Sequence, residues 1–170
     1  MQLDISRRSV LTSGLLGAGG AVLLAPPAEA AIPKVKRSVV MDRARFWTSR
    51  NVQYDQGATY PGPAGQARYR CDCSGFVSMC LMLPPAGPNT TALAGGTYTF
   101  GIAKANLKRG DMLVRSGVHV VLFHKWANAA HTRFWLFEEA SPAQDMNHRV
   151  ADLSAYGGYA ARRARNIVNG

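Results

Sequence analysis

The chain has 170 residues, room for one compact domain and little else. Its 47% hydrophobic content can fill a core, and 18% charged residues is too few for a disordered chain. Twenty Lys and Arg against ten Asp and Glu leave a net charge of +10, so the expected partners are anionic: nucleic acid, an acidic polymer or an anionic membrane surface.

In chain order, residues 1–30 read as an export signal. Ser6-Arg7-Arg8-Ser9-Val10-Leu11 sets paired arginines before a short, glycine-rich apolar stretch ending at Pro26-Pro27, and resembles the twin-arginine signal of bacteria. Ala28-Glu29-Ala30 supplies the small-x-small cleavage pattern, which predicts a mature domain from Ala31. The apolar run is too short and too rich in glycine to span a bilayer, so no stable membrane insertion is expected after cleavage. Losing Asp4, Arg7, Arg8 and Glu29 removes two charges of each sign and leaves the rest at +10.

From Ser38 to Arg50, Val40, Ala44 and Trp47 recur at helical spacing, and the stripe is expected in the core. Residues 51–70, punctuated by Gly57, Pro61, Gly62, Pro63 and Gly65, read as a long connection. Asp72 is placed to cap a helix running through Phe76, Val77, Cys80 and Leu81, stopped at Pro84-Pro85. Residues 88–108 read as loop, with a short helical turn at Thr90 to Ala94. The period then changes: 111–115, 118–126 and 133–139 are rich in Val, Leu, Phe and Trp and read as strands. A last element over 156–168 fits either a helix or a closing strand. Helices followed by an antiparallel meander give an α+β class.

The predicted helix start puts Cys73 where unpaired backbone N–H groups and the positive end of the helix dipole favour a thiolate. An odd cysteine count argues against a disulfide framework, and Cys71 can reach Cys80 only if the preceding loop folds back along the helix. A nucleophilic cysteine needs a base. His119 opens an apolar strand just after a turn at Ser116-Gly117 and is the best candidate. His124 should face the other side of that strand, and His131 and His148 fall in loop or polar stretches. No metal-ligand spacing or phosphate loop is visible, so no metal and no cofactor are expected. The scattered arginines, without interleaved aromatics, give no sign of specific nucleic-acid recognition.

Asp72-Cys73-Ser74-Gly75-Phe76-Val77 resembles the nucleophile motif of the NlpC-like (NlpC and p-sixty) cysteine peptidases of bacterial cell walls. Val52-Gln53-Tyr54-Asp55-Gln56-Gly57 resembles the segment whose tyrosine lies beside the nucleophile in that family. Leu107 to Leu113 and Val118 to Leu122 resemble its Gly-Asp strand and histidine strand. The resemblance spans about residues 40–141, and three blocks in the same order are far more specific than one.

It implies a papain-like fold with the nucleophile helix packed on an antiparallel sheet. Cys73 and His119 would carry the chemistry, with Tyr54, Asp72 and Ser74 at the oxyanion and substrate side. The family's third polar residue precedes a small residue on the next strand. Here that place falls on Glu139, within Glu138-Glu139-Ala140-Ser141, and strand alternation allows one of the two glutamates to face the imidazole. A carboxylate there departs from the commoner His, Asn or Gln. The resulting expectation is a secreted, monomeric peptidase or amidase acting on peptidoglycan stem peptides. The rivals are an amidase or acyltransferase on another amide, and a non-catalytic basic protein binding cell wall or nucleic acid on the same fold.

Overall fold

The computed structural model describes residues 31–65 and 67–169. The export-signal expectation over residues 1–30 lies outside the described residues. A two-residue strand, β1 (Val35–Lys36), leads into α1 (Arg37–Thr48). Val40, Met41, Ala44 and Trp47 are all fully buried, as the helical spacing requires. Two arginines on α1 are buried as well, and each has partners. Arg43 donates to the Met79 carbonyl at 2.7 Å. Arg37 meets the Asp111 carboxylate at 3.0 Å.

The expected long loop instead holds a hairpin, β2 (Asp55–Pro61) and β3 (Arg68–Cys71), with an irregular register between Asp55 and Thr59. Its Gly and Pro content hid it, since neither residue signals a strand. The Trp47 indole donates to the Pro61 carbonyl at 3.0 Å and fastens the hairpin to α1. Next comes α2 (Cys73–Cys80), every residue of which is buried. It ends earlier than Pro84 would require, and the freed Leu81 carbonyl accepts from Asn166 Nδ2 at 2.8 Å. The short α3 (Thr90–Ala94) follows, capped by the Asn89 side chain on the Ala92 N–H.

The remainder builds one six-stranded antiparallel sheet from β4 (Thr99–Gly101), β5 (Met112–Arg115), β6 (His119–Trp126), β7 (Arg133–Glu139), β8 (Met146–Asp152) and β9 (Ala160–Ala164). The order is β4-β9-β5-β6-β7-β8, and β10 (Ile167–Val168) pairs in parallel with β1. The closing segment is therefore strand, after a 3₁₀ turn at Leu153–Tyr156.

Alternation divides the sheet. Met112, Val114, Val120, Leu122 and Phe137 pack toward α1 and α2. Leu113, Val121, Phe123, Phe134 and Leu136 form a second core with Ala161 and Tyr156. Both faces are thus buried, which is why β5 to β7 were readable as near-continuous apolar runs. The protein is α+β with few helices and a large antiparallel sheet.

Asp111 locks the sheet to α1. It is fully buried and held by Arg37 at 3.0 Å and Arg163 at 2.7 Å. Gly110 turns the chain into β5 with φ +85°, and a Cβ there would lie 2.9 Å from the Ile167 side chain.

Candidate active site

The site begins with the sharp turn into α2. Asp72 has extended backbone, and its Oδ1 accepts the Gly75 N–H at 2.6 Å, as an N-cap should. The Ser74 hydroxyl donates to the same oxygen at 2.8 Å. Arg70 closes a triangle, donating from Nε to Asp72 Oδ2 at 2.8 Å and from Nη2 to Ser74 Oγ at 3.0 Å. Burial works against the Asp72 charge, but the Gly75 N–H, Arg70 and Ser74 bonds win and hold its carboxyl below the usual range.

Gly75 is required sterically. A Cβ there would lie 2.0 Å from the Arg70 carbonyl oxygen, so the first turn of α2 and β3 can approach only without a side chain. The sequence placed Asp72 and Ser74 at the substrate side. Their side chains are buried and satisfied by one another and by Arg70, so what they do is fix the turn that presents Cys73.

Cys73 is the first residue of α2, with a slight exposure of 7%. Its thiol is close enough to the imidazole of His119, the first residue of β6, to raise the pKa of that ring. On the other side of that ring, Nε2 lies 2.9 Å from Glu138 Oε2. With Nε2 committed to the carboxylate, Nδ1 is the nitrogen left for sulfur. Burial opposes a charged imidazole, yet hydrogen bonds to Cys73 and Glu138 overcome it and raise the His119 pKa to about 9. The imidazole and the carboxylate are therefore hydrogen-bonded, and the thiol stands beside the same ring.

The carboxylate on that ring is Glu138, which corrects the assignment of Glu139. Alternation was right in giving the two glutamates opposite faces, but the face was not legible. Near the hairpin end, Lys125 pairs with Trp135 and Trp126 with Phe134. Continued unbroken, that register sets Glu139 opposite Val121, on the face of His119. A bulge between Phe123 and Lys125 shifts the pairing to Phe123 with Leu136 and Leu122 with Phe137. That single extra residue moves Glu138 to the His119 face and turns Glu139 toward the helices.

Glu139 is fully buried, and neither of its oxygens has a hydrogen-bond partner among the described residues. Burial first, and the nearby Asp145 and Asp72 carboxylates second, push its pKa up to about 8. It is a neutral acid at neutral pH, buried on the helix face of β7.

Glu138 is held ionised from two sides. Burial raises its pKa, but the His119 bond and the Arg149 cation lower it further, leaving it below the ordinary range. Arg149 Nε donates to Glu138 Oε1 at 2.7 Å. Arg149 stands on β8, a strand the sequence did not reveal, because Met146-Asn147-His148-Arg149 has no apolar alternation. A cavity of about 420 Å³ opens beside these groups, walled by His119, Glu138, Arg149, Tyr156 and Tyr159.

Tyr54 is anchored by its backbone N–H, which donates to Asp145 Oδ1 at 2.9 Å. Its hydroxyl oxygen accepts from Gln56 Nε2 at 3.0 Å, which leaves the O–H free to donate. Burial raises its pKa; the Gln56 bond works against this, and the charges of Cys73, Asp72 and Glu139 add to the rise.

The other thiols stand apart. Cys71 and Cys80 are free and buried. Burial pushes Cys71 up to about 11, and it pushes Cys80 up as well. The other histidines are engaged elsewhere. His124 Nδ1 lies 3.1 Å from His148 Nε2, and His131 stacks on Trp126 with ring centres 4.3 Å apart. Among the described residues no group of three or more metal-ligating side chains converges.

Comparison of the chain with known protein families, with curated proteins and with solved structures returned no match. A thiol at a helix N-terminus, a base in contact with it and a carboxylate orienting the base are the parts of a covalent acyl-transfer centre.

Proposed function

We propose that this chain is an exported cysteine hydrolase that cuts amide bonds in peptidoglycan stem peptides. The observation that carries the reading is the set Cys73, His119 and Glu138, in which one imidazole is bonded to a carboxylate at 2.9 Å and stands beside the thiol. In this mechanism the Cys73 sulfur attacks the amide carbonyl carbon and forms the C–S bond. The negative oxygen faces the Cys73 backbone N–H, one of the free donors at the start of α2, and the Tyr54 hydroxyl. His119, as imidazolium, gives its proton to the leaving amine as the C–N bond breaks. Water then attacks the thioester with His119 as base, which restores the thiol and releases the acid.

Glu138 holds the ring with Nδ1 toward sulfur and stabilises its positive charge. The substrate class comes from the resemblance of Asp72-Cys73-Ser74-Gly75 and the Tyr54 and His119 segments to NlpC-like peptidases. A nucleophile helix set against an antiparallel sheet accords with the papain-like arrangement that this resemblance implies. Stem peptides carry free carboxylates, which a domain of charge +10 attracts. The Arg7-Arg8 segment supports export by a twin-arginine route to the cell wall or beyond.

The test is digestion of purified sacculi followed by mass spectrometry of the fragments, with Cys73→Ala as control. New peptide termini that appear with the wild type and vanish with Cys73→Ala are expected. Intact sacculi, or cleavage that survives loss of Cys73, would sink the proposal.

A further inference from the structure

Glu138 divides its two oxygens between two strands: Oε2 faces His119 Nε2 at 2.9 Å and Oε1 accepts from Arg149 Nε at 2.7 Å. Between β7 and β8, Leu136 pairs with Arg149 and Glu138 with Asn147, so Arg149 is the diagonal neighbour of Glu138 on one face. Arg149 is itself braced, its Nη2 donating to the Tyr156 hydroxyl at 3.3 Å. The Glu138 side chain is 3% exposed and that of Arg149 46%, so the arginine approaches the buried carboxylate from the cavity side.

The terminal torsion of a glutamate is broad and two-fold. A carboxylate bonded only to His119 can rotate and offer either oxygen, and the imidazole turns with it. A buried carboxylate that loses a charged partner also drifts toward its protonated form, which holds the N–H less well. A guanidinium fixed on Oε1 removes both freedoms, because it stays charged and presents a rigid fork.

We infer that Arg149 is a positioning residue that acts on His119 through Glu138. The inference rests on the thiol-hydrolase reading only for the reaction it serves. It makes the orienting unit Glu138 with Arg149, supplied by two adjacent strands, and it gives the polar strand β8 a part in the site.

A double-mutant cycle on the full chain tests this: wild type, Arg149→Met, Glu138→Gln and the double variant. The first readout is the rate of Cys73 carboxamidomethylation by iodoacetamide at pH 7, followed by peptide mapping, which needs no natural substrate. Arg149→Met should slow it about tenfold, the low end of the scale for removing an outer partner of a metal-bound histidine. In the Glu138→Gln background the same change should cost less than about twofold, because the group it acts through is gone.

The second readout is the His119 Nε2 proton by NMR, which should be protected from exchange in the wild type and lost to exchange in Arg149→Met. An equal slowing in both backgrounds, or no slowing in either, overturns the inference, as does an unchanged Nε2 signal. Should Arg149→Met not fold, Arg149→Lys, which keeps the charge but loses the fork, should slow alkylation about threefold, and less than that in the Glu138→Gln background. An equal slowing by Arg149→Lys in both backgrounds, or none in either, counts against the inference. Alkylation coupling without any cut in sacculi leaves the inference standing and removes the proposed substrate.

Discussion

Glu139→Gln should make the protein more stable at neutral pH, and the size of the gain should grow with pH. The folded carboxyl titrates at about 8 against an ordinary value of 4.5, because it is buried without a partner and faces Asp145 and Asp72. The folded state therefore keeps a proton that the unfolded chain releases above about pH 4.5. Stability is greatest below that pH, declines as pH rises, and levels off once the folded group also ionises above about 8.

At 1.36 kcal/mol per unit, the interval from the unfolded pKa to pH 7 amounts to about 3 kcal/mol. Glutamine has the shape of the neutral acid and no proton to lose, so the variant escapes the decline. Urea unfolding at pH 4, 5.5 and 7 measures the difference. It should be near zero at pH 4 and rise to about 3 kcal/mol at pH 7, equivalent to about 10 °C in Tm for a domain of this size. A difference that is the same at all three pH values, or a variant destabilised at pH 7, would refute the argument from burial.

The companion substitution acts on chemistry. Glu138→Gln should lower sacculus digestion by about a hundredfold or more, while Glu139→Gln stays near wild type. NMR titration should find the His119 imidazolium, which deprotonates near 9 in the wild type, falling toward its ordinary 6.5 in Glu138→Gln. Gly75→Ala should cost about 3 kcal/mol in urea unfolding, since its Cβ would meet the Arg70 carbonyl oxygen at 2.0 Å and backbone must move. Asp72→Ala removes the α2 cap and strips Arg70 of its ion pair, and should cost about 2 kcal/mol by the same measurement.

Where a local pattern carries the information, the sequence alone determined the outcome. Asp72 three residues before Gly75 is a cap, the stripe Val40, Ala44 and Trp47 is a buried helix face, and the largely apolar runs over 111–115, 118–126 and 133–139 hold strands packed on both sides. The cysteine at the helix start and the histidine at the strand start came from the same local signals, and the structure brings the two side chains together. The hairpin of β2 and β3 and the strand β8 escaped because their stability comes from what they pair with: Trp47 reaching Pro61, and β7 lying alongside 146–152.

The carboxylate was decided only by tertiary structure. Adjacent residues on a strand must face opposite ways, and that much is written in the chain. Which of them meets His119 depends on the phase between β6 and β7, and one extra residue between Phe123 and Lys125 sets it. A bulge arises from how two strands settle against both cores, and no single stretch of sequence encodes it. It gives Glu138 the imidazole and Arg149, and leaves Glu139 neutral and buried on the helix face.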